Sequence, residues 1–395
     1  MSDLATNDLT VEIISNPESS PDLIGFWKNQ AQHVNSDPDF FLTVTSLREN
    51  IISPLIFLVR MKGAPVTSLI CRLETTRLPA RVAYFTLVNF PMRSITMTYG
   101  GFIGKDTAAI RSALLGALLG ELKRGVADIA KLSMVRSNSS FMKSIDSLNL
   151  STWRLKSYLP SQHFVFQVPK APEDILTAKP SKTRSKIRYY IRKAERGFPT
   201  LRINRVTDCN HLNDLMNDLE DVASKTYQRG LGAGFYKNEE WQEILRIGFL
   251  NNWIEVWTLS VDSKCISFII GLKYKGVYLI YAKAFDPAYS NDRVGTYLQI
   301  KVLEDIARQG ECAIVDYGFG DAEYKRQFST NSWSEADVVM AAASSKNFLV
   351  MNAARLCDAS DKFLRLLSHN LEITRRLKKL LRTYKANSTK KSEKE

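Results

Sequence analysis

The chain has 395 residues, more than one typical domain needs, and 45% of them are hydrophobic, which excludes an intrinsically disordered protein. Its five cysteines are dispersed, so we expect neither a disulfide framework nor a zinc site, but a reducing compartment. The N-terminus is not a secretory signal, and no apolar run approaches the roughly 18 residues of a membrane-spanning helix. We therefore expect a cytoplasmic protein, peripheral at most to the inner face of the membrane.

The net charge of +13 is concentrated in two segments. Lys179–Arg205 contains ten basic residues and one acid, and Leu371–Glu395 contains nine basic residues and three acids. Each segment is either a solvated face or a docking site for an anionic partner, such as a membrane surface or tRNA. In the first segment Arg184, Arg188, Arg192 and Arg196 recur every four residues and therefore form one stripe along a helix.

Hydrophobic periodicity predicts alternating helices and strands in the first half of the chain. The predicted helices are Ser20–Gln32 and Ala108–Lys123, and the predicted strands are Leu55–Met61, Val66–Leu73, Val82–Val88, Thr96–Ile103 and Lys131–Val135. Phe164–Ala171 leads out of this half, and prolines on either side of Lys170 predict a linker near Lys170–Lys179.

The second half repeats this style. Its predicted helices are Ser181–Arg196, Asp208–Tyr227, Glu239–Leu250 and Gly295–Gln309, and its predicted strands are Leu201–Val206, Trp253–Val261, Cys265–Lys273, Val277–Ala284, Cys312–Tyr317 and Ser334–Ala342. We therefore predict two similar α/β domains in tandem, at residues 9–168 and 179–345. Residues 346–395 are predicted to be a helical extension that ends in a basic tail.

The most informative stretch runs from Val277 to Trp333. An aromatic strand leads into the turn Phe285–Pro287, and a short loop, Arg293–Thr296, then opens a helix. Backbone N–H groups at a helix N-terminus carry partial positive charge and attract phosphate. Gly295 allows a ligand to approach the backbone, and Arg293 adds a fixed charge. An ordinary turn with a convenient glycine is the alternative interpretation.

This order of motifs resembles the second half of the CelD/BcsL-like branch of the GNAT acyltransferase superfamily, which is related to the FemAB peptidyltransferases. The resemblance covers Lys179–Ser334 well and the first half faintly. It implies two tandem GNAT-like domains, each a mixed, mainly antiparallel sheet flanked by helices. It also implies that Arg293, Val294, Gly295 and Thr296 hold the pyrophosphate of an acyl-coenzyme A. Thr296 stands where a second small residue is usual.

Further site residues follow from strand ends and from the resemblance. Asp316 ends an apolar strand, where a carboxylate can act as a base, and Lys325 could hold developing negative charge. Tyr324 completes the family's Tyr-Lys pair, and Tyr281 is a further candidate for the cleft. Arg229 and Tyr236 flank a glycine-rich loop that resembles the family's acceptor-side segment. The alternatives are a turn aspartate, a surface lysine and tyrosines that serve packing.

Together these features predict a bacterial, GNAT-type acyltransferase that needs no metal. The acyl group, acetyl in the simplest case, would pass directly from acyl-coenzyme A to an amine or hydroxyl on a cell-surface polysaccharide or its precursor. One alternative is FemAB-like transfer from an aminoacyl-tRNA. Another is a non-catalytic protein that binds nucleic acid or a membrane surface through its basic segments.

Overall fold

A computed structural model describes residues 9–82, 85–148, 156–177 and 179–353. Its helices are α1 Pro21–Gln30, α2 Pro38–Leu47, α3 Ala108–Lys123, α4 Ser140–Asp146, α5 Asp174–Thr177, α6 Ser181–Gly197, α7 Leu212–Ala223, α8 Glu239–Leu250, α9 Val294–Gln309 and α10 Glu323–Phe328. Its strands are β1 Leu9–Ile14, β2 Ile51–Met61, β3 Ala64–Val82, β4 Phe85–Gly104, β5 Ile129–Arg136, β6 Lys156–Gln167, β7 Arg202–Val206, β8 Ile254–Val261, β9 Lys264–Tyr274, β10 Val277–Phe285, β11 Ile314–Phe319 and β12 Asn331–Ala341. Residues 345–353 are also helical.

The strands form one sheet of twelve, in the order β1-β2-β3-β4-β5-β12-β6-β11-β10-β9-β8-β7. Among these strands β4–β5 and β10–β11 pair in parallel, and every other neighbouring pair is antiparallel. Each parallel pair is joined by a helix, α3 or α9, because a parallel connection needs a crossover. The predicted fold class, a mixed and mainly antiparallel α/β architecture that repeats in the two halves, is confirmed.

The last strand of each half lies in the sheet of the other half. β6 ends the first half along the chain, yet it lies between β11 and β12. β12 ends the second half and lies between β5 and β6. The apolar residues Phe164 and Phe166 of β6 pack with the core around α9, and Val338 and Met340 of β12 pack with the core around α3. Separating the halves would therefore expose apolar faces of both cores.

One helix of the first half also belongs to a core of the second. Phe40 and Val44 of α2 pack in a cluster with Leu245 and Phe249 of α8. Asp37 caps α2 and accepts a hydrogen bond from the Tyr274 hydroxyl of β9, at 2.8 Å. The domain boundaries at residues 168 and 179 remain a prediction. The strands β6 and β12 and the helix α2 each pack with elements of the other half.

Several predicted elements match the structure closely. α3 and α8 have the predicted bounds, and α6 and α9 differ by one residue at one end. The predicted strand Val82–Val88 is wrong, because Val82 ends β3 while Phe85–Val88 belong to β4, which pairs antiparallel with β3. The sequence missed β1, α2 and α4, and it treated β6 as an exit segment. Most of the predicted 346–395 extension and its basic tail lie outside the described residues.

Gly271 provides a test of how tightly this sheet is packed. A Cβ atom at Gly271 of β9 would overlap the ring and hydroxyl of Tyr278 on β10, which is fully buried. We expect Gly271→Ala to lower the free energy of unfolding by about 1–3 kcal/mol, because overpacking forces a shift of a buried ring. The matched control is Gly116→Ala within α3, where no atom lies within 4 Å, and which should stabilise by about 0.5–1 kcal/mol. Urea denaturation measures both values, and equal stability of the two variants would contradict this packing.

Candidate active site at the junction of the two halves

The strands β10 and β11 separate and open a cleft in the sheet. Their parallel pairing covers Val277–Leu279 against Ile314–Asp316, after which β10 continues to Phe285 without further pairing to β11. The register of β10 against β9 shifts between Ile280 and Ala282, which marks a β-bulge. A cavity of about 360 Å³ lies here and is lined from both strands. Ligand sites of α/β sheets commonly lie at such carboxyl ends of strands.

His163 lies at the inner wall of this cavity and is 1% exposed. Its Nε2 lies 2.8 Å from Asp316 Oδ1 and its Nδ1 lies 3.1 Å from Glu335 Oε2. The rings of Trp333 and Tyr99 stack on the imidazole, with centroids at 4.6 and 5.8 Å. We call these five residues the His163 cluster. It is assembled from β4, β6, β11 and β12, so it exists because the last strands of the halves are exchanged.

Both ring nitrogens of His163 face carboxylates, so both act as donors in the imidazolium form. Burial opposes this charge, but the hydrogen bonds to Asp316 and Glu335 outweigh it and raise the pKa of His163 from 6.5 to about 9. His33, beside Tyr99 at a centroid distance of 4.6 Å, behaves in the opposite way. Its Nδ1 accepts the Asn35 N–H at 3.1 Å, and burial lowers its pKa to about 4. At neutral pH the site therefore holds one charged and one neutral histidine.

The structure brings the three predicted catalytic residues to one cavity. Asp316, Tyr324 and Lys325 all line it. Asp316 Oδ1 also accepts the Gly318 N–H at 2.6 Å, so the interpretation as a turn aspartate is correct in part. The Lys325 ammonium is buried and donates to the Phe319 carbonyl at 2.6 Å, which excludes the surface-lysine interpretation.

Lys283 is a cavity residue that the sequence reasoning missed. It projects from β10 beyond the bulge, and its Nζ donates to Gln299 Oε1 at 2.6 Å and lies 3.4 Å from the centroid of the Tyr324 ring. Burial, together with the nearby Lys325 charge, lowers the pKa of Lys283 to about 7. The available signal was a lysine inside an otherwise apolar and aromatic strand, Val277–Phe285.

The predicted donor loop lies at the carboxyl end of β10. Arg293 has a left-handed backbone, with φ of 56°, and precedes α9 without any side-chain cap. The Arg293 carbonyl accepts from the N–H groups of Thr296 and Tyr297, so the N–H groups of Val294 and Gly295 are left without an acceptor inside the helix. Val294 is buried and Gly295 is half-buried, so Gly295 is the more accessible of the two. Asp292 directly precedes the loop, and its carboxylate is paired with Lys193 Nζ at 3.0 Å, which offsets its negative charge. This helix end can receive an anion.

Packing also explains why residue 295 is a glycine. A Cβ atom there would lie 3.1 Å from Cδ1 of Phe285, so the glycine lets α9 start close to the end of β10. The Arg293 guanidinium lies 5.5 Å from the centroid of the Tyr190 ring on α6, which brings the basic helix next to the loop. The loop and the arginine stripe therefore lie on neighbouring elements.

The equivalent helix of the first half is built differently. The Thr107 side chain caps α3 by accepting the Ile110 N–H at 3.3 Å. Asp106 precedes this cap and pairs with Arg111. The Thr107 side chain thus occupies an amide at the start of α3, whereas the start of α9 has no side-chain cap. Only the second of these two crossover helices, α9, thus offers an open, basic N-terminus.

Of the three residues predicted to bind the acceptor, only one lines the cavity. Tyr281 lies at the bulge and lines the cavity, whereas Arg229 and Tyr236 are not among its lining residues. Arg229 donates to Glu220 at 2.7 Å, and its guanidinium lies 4.0 Å from the centroid of the Tyr236 ring, so these two residues brace the loop after α7. Gln228 and Gly234 of the same loop do line the cavity.

A second cavity of about 270 Å³ adjoins the first on the side of the first half. Asn35, Tyr99, Tyr281 and Phe319 line both cavities, so the two share a wall. The second cavity has three basic lining residues, Arg48, Arg72 and Lys131, and the acid Asp337. A substrate could therefore approach the His163 cluster from the first half while another enters from α9.

Comparison with known proteins agrees with this geometry. Residues 181–326 match the sequence profile of the acetyltransferase (GNAT) domain family. The prediction of a GNAT-type acyltransferase is confirmed by the match, while the CelD/BcsL-like branch remains a prediction. No curated protein matches the chain.

Solved structures resemble most of the chain at low sequence identity. FemX is 10% identical with a TM-score of 0.50, and the alignment covers 82% of this chain and 96% of FemX. L-PGS from Bacillus licheniformis is 10% identical with a TM-score of 0.49, covering 87% of this chain and 97% of L-PGS. A conserved protein of unknown function from Bacteroides thetaiotaomicron is 13% identical with a TM-score of 0.49, covering 84% and 100%. The similarity to FemX shows a shared fold that extends over both halves.

The described residues contain no group of three or more His, Cys, Asp and Glu residues placed to hold a metal ion. Within the same residues, no helix is both long and apolar enough to cross a membrane.

The charge on His163 predicts how stability depends on pH. A folded-state pKa raised from 6.5 to about 9 contributes stability that is complete below the unfolded-state pKa and is lost as the pH rises through about 9. The destabilisation caused by His163→Gln should therefore be larger at pH 6 than at pH 10, by about 3 kcal/mol. Denaturant unfolding at several pH values measures this difference.

The matched control for this experiment is His211→Asn, because the His211 side chain is 86% exposed. Its effect on the free energy of unfolding should hardly change with pH. If the destabilisation caused by His163→Gln is equally independent of pH, His163 is not held as an imidazolium between the two carboxylates.

Proposed function

We propose that the protein transfers an acyl group from acyl-coenzyme A to an amine or hydroxyl, on a cell-surface saccharide or its precursor. The observation that carries this proposal is the open N-terminus of α9, which lies where β10 and β11 separate towards the His163 cluster. A donor phosphate at Val294 and Gly295 would let an extended thioester chain run into the cleft. The saccharide acceptor and the acetyl group are implied by the family resemblance.

The cavity supplies the groups that acyl transfer needs. Asp316 would accept the proton that the acceptor loses when it attacks the thioester carbonyl, and His163 Nε2, 2.8 Å from Asp316 Oδ1, holds this carboxylate in place. The Lys325 ammonium would stabilise the negative charge on the carbonyl oxygen. Burial raises the pKa of Tyr324 to about 12, so its hydroxyl is protonated at neutral pH and can donate to the leaving thiolate. The acceptor's nitrogen or oxygen forms the new bond as the carbon–sulfur bond breaks.

The loop assignment is tested by a pair of substitutions. Gly295→Val should weaken binding of coenzyme A at least tenfold in calorimetry, because a branched side chain blocks the first amides of α9. The same side chain also meets the Phe285 ring, so the double variant Gly295→Val, Phe285→Ala removes that overlap. If the loop holds the pyrophosphate, the double variant should still bind weakly while Phe285→Ala alone binds well. Recovery of full affinity in the double variant would instead assign the effect to packing.

A second candidate function is supported by the position of α6. Arg188, Arg192 and Arg196 are exposed on this helix, and Tyr189 beside them is 57% exposed. Arg293 links the helix to the donor loop through Tyr190. A donor with an extended phosphate backbone, such as an aminoacyl-tRNA, could use the loop and the stripe together. Coenzyme A alone would not need the distal arginines.

The two candidate donors differ in their dependence on the stripe. For the tRNA alternative, changing Arg188, Arg192 and Arg196 to Gln should weaken tRNA binding and flatten its salt dependence by about one unit of log–log slope per lost phosphate contact. A control variant carries the same charge change at Lys264, Arg308 and Lys346. Binding is measured between about 50 and 200 mM salt, beside duplex DNA. Equal tRNA binding by both variants, with coenzyme A affinity intact, would reject the tRNA alternative.

A further inference from the structure

Lys283 has an unusual position for a lysine. It extends from β10 into the same cavity as Asp316, Tyr324 and Lys325, on the side where α9 packs. The Lys283 side chain is half-buried, and among the described residues no carboxylate forms an ion pair with its ammonium. Burial and the charge of Lys325 lower the pKa of Lys283 to about 7, whereas the face of the Tyr324 ring stabilises the ammonium. A large fraction of the amine is therefore uncharged near neutral pH.

The contacts of Lys283 hold its nitrogen in place. Gln299, which accepts its hydrogen bond, is 2% exposed on the inner face of α9, and the Gln299 amide nitrogen is 3.4 Å from the Tyr317 hydroxyl. The Tyr324 ring covers one side of the amine at 3.4 Å. A neutral amine with one N–H committed to Gln299 keeps a lone pair for the cavity. Such an amine is a nucleophile, because protonation does not block its lone pair.

We propose that Lys283 is a self-acylation site, at which the protein acylates its own side chain when a donor thioester is bound and no acceptor is present. This inference rests on the proposed function, because the thioester must lie in the cleft between β10 and β11. The Lys283 nitrogen forms a bond to the carbonyl carbon, and the carbon–sulfur bond breaks. The proton lost by the nitrogen passes to the leaving thiolate, so the products are an N-acyl-lysine and a free thiol.

Acylation would change the cavity in two ways. It would convert the ionisable amine into an amide that stays uncharged, and it would place the added acyl group in the cavity of about 360 Å³. Transfer to an external acceptor should then become slower as acylation proceeds. An acceptor already bound in the cavity would protect Lys283.

The experiment incubates the full-length protein with acetyl-coenzyme A and follows intact mass and peptide maps. We expect one acetyl group per chain to appear first on Lys283, at least tenfold faster than on exposed lysines of the same protein. The rate should rise with pH to a midpoint near 7, whereas surface lysines continue to gain reactivity up to about pH 10. Lys283→Arg should abolish the fast phase. Lys301→Arg, on the outer side of α9, should leave it unchanged.

Calorimetry with coenzyme A distinguishes a failure of the self-acylation proposal from a failure of the donor assignment. If the wild-type protein binds coenzyme A and Lys283 reacts no faster than exposed lysines, self-acylation is wrong while the donor assignment stands. If coenzyme A does not bind, both the donor assignment and self-acylation are wrong. A fast phase that persists in Lys283→Arg would move the reactive amine elsewhere and would equally overturn the assignment.

Discussion

The interaction on which the site depends is the ion pair of His163 with two buried carboxylates. An imidazole between Asp316 and Glu335 must be charged for both of its nitrogens to donate, and a buried net charge is tolerated only when its partners are held in place. The strand exchange provides that order, since β6 carries His163 and lies between the two strands that carry the carboxylates. If β6 moved, His163 would be left without partners and two carboxylates would be left buried. Fold and site are thus stabilised by the same arrangement.

The two halves share an architecture but offer different chemistry. Both have an antiparallel meander, a crossover helix and a parallel strand, and in both the parallel pair covers few residues. The difference lies at the start of the crossover helix, where Thr107 caps α3 and Arg293 leaves α9 open. Helix termini attract anions only when their first amides are free, so this local difference supports the proposal that a donor binds to the second half. The adjoining cavity of the first half is then available for the acceptor.

The sequence predicted much of the local structure because its signals are local. The leucine spacing of α3 and the Asn238 cap of α8 fix helices whose bounds the structure reproduces. The predicted loop Arg293–Thr296, and the placement of Asp316 at the end of an apolar strand, also follow from neighbouring residues. Two elements that the sequence analysis did not recognise, α2 and β6, are stabilised by partners far along the chain. Phe40 of α2, for example, gains its burial from α8, about 200 residues later.

Local pattern and the family resemblance therefore predicted the α/β class, most of the helices and strands, and the two regions proposed for a donor and a base. They did not identify His163 or Lys283 as residues of the candidate site. His163 lies in a strand without any motif around it, and its function depends on carboxylates 153 and 172 residues away in sequence. Lys283 is unusual because no carboxylate of the described residues pairs with it, and that can be seen only when its neighbours are in place. The protonation state of a buried group is set by burial and by nearby charges, and only the folded chain decides both.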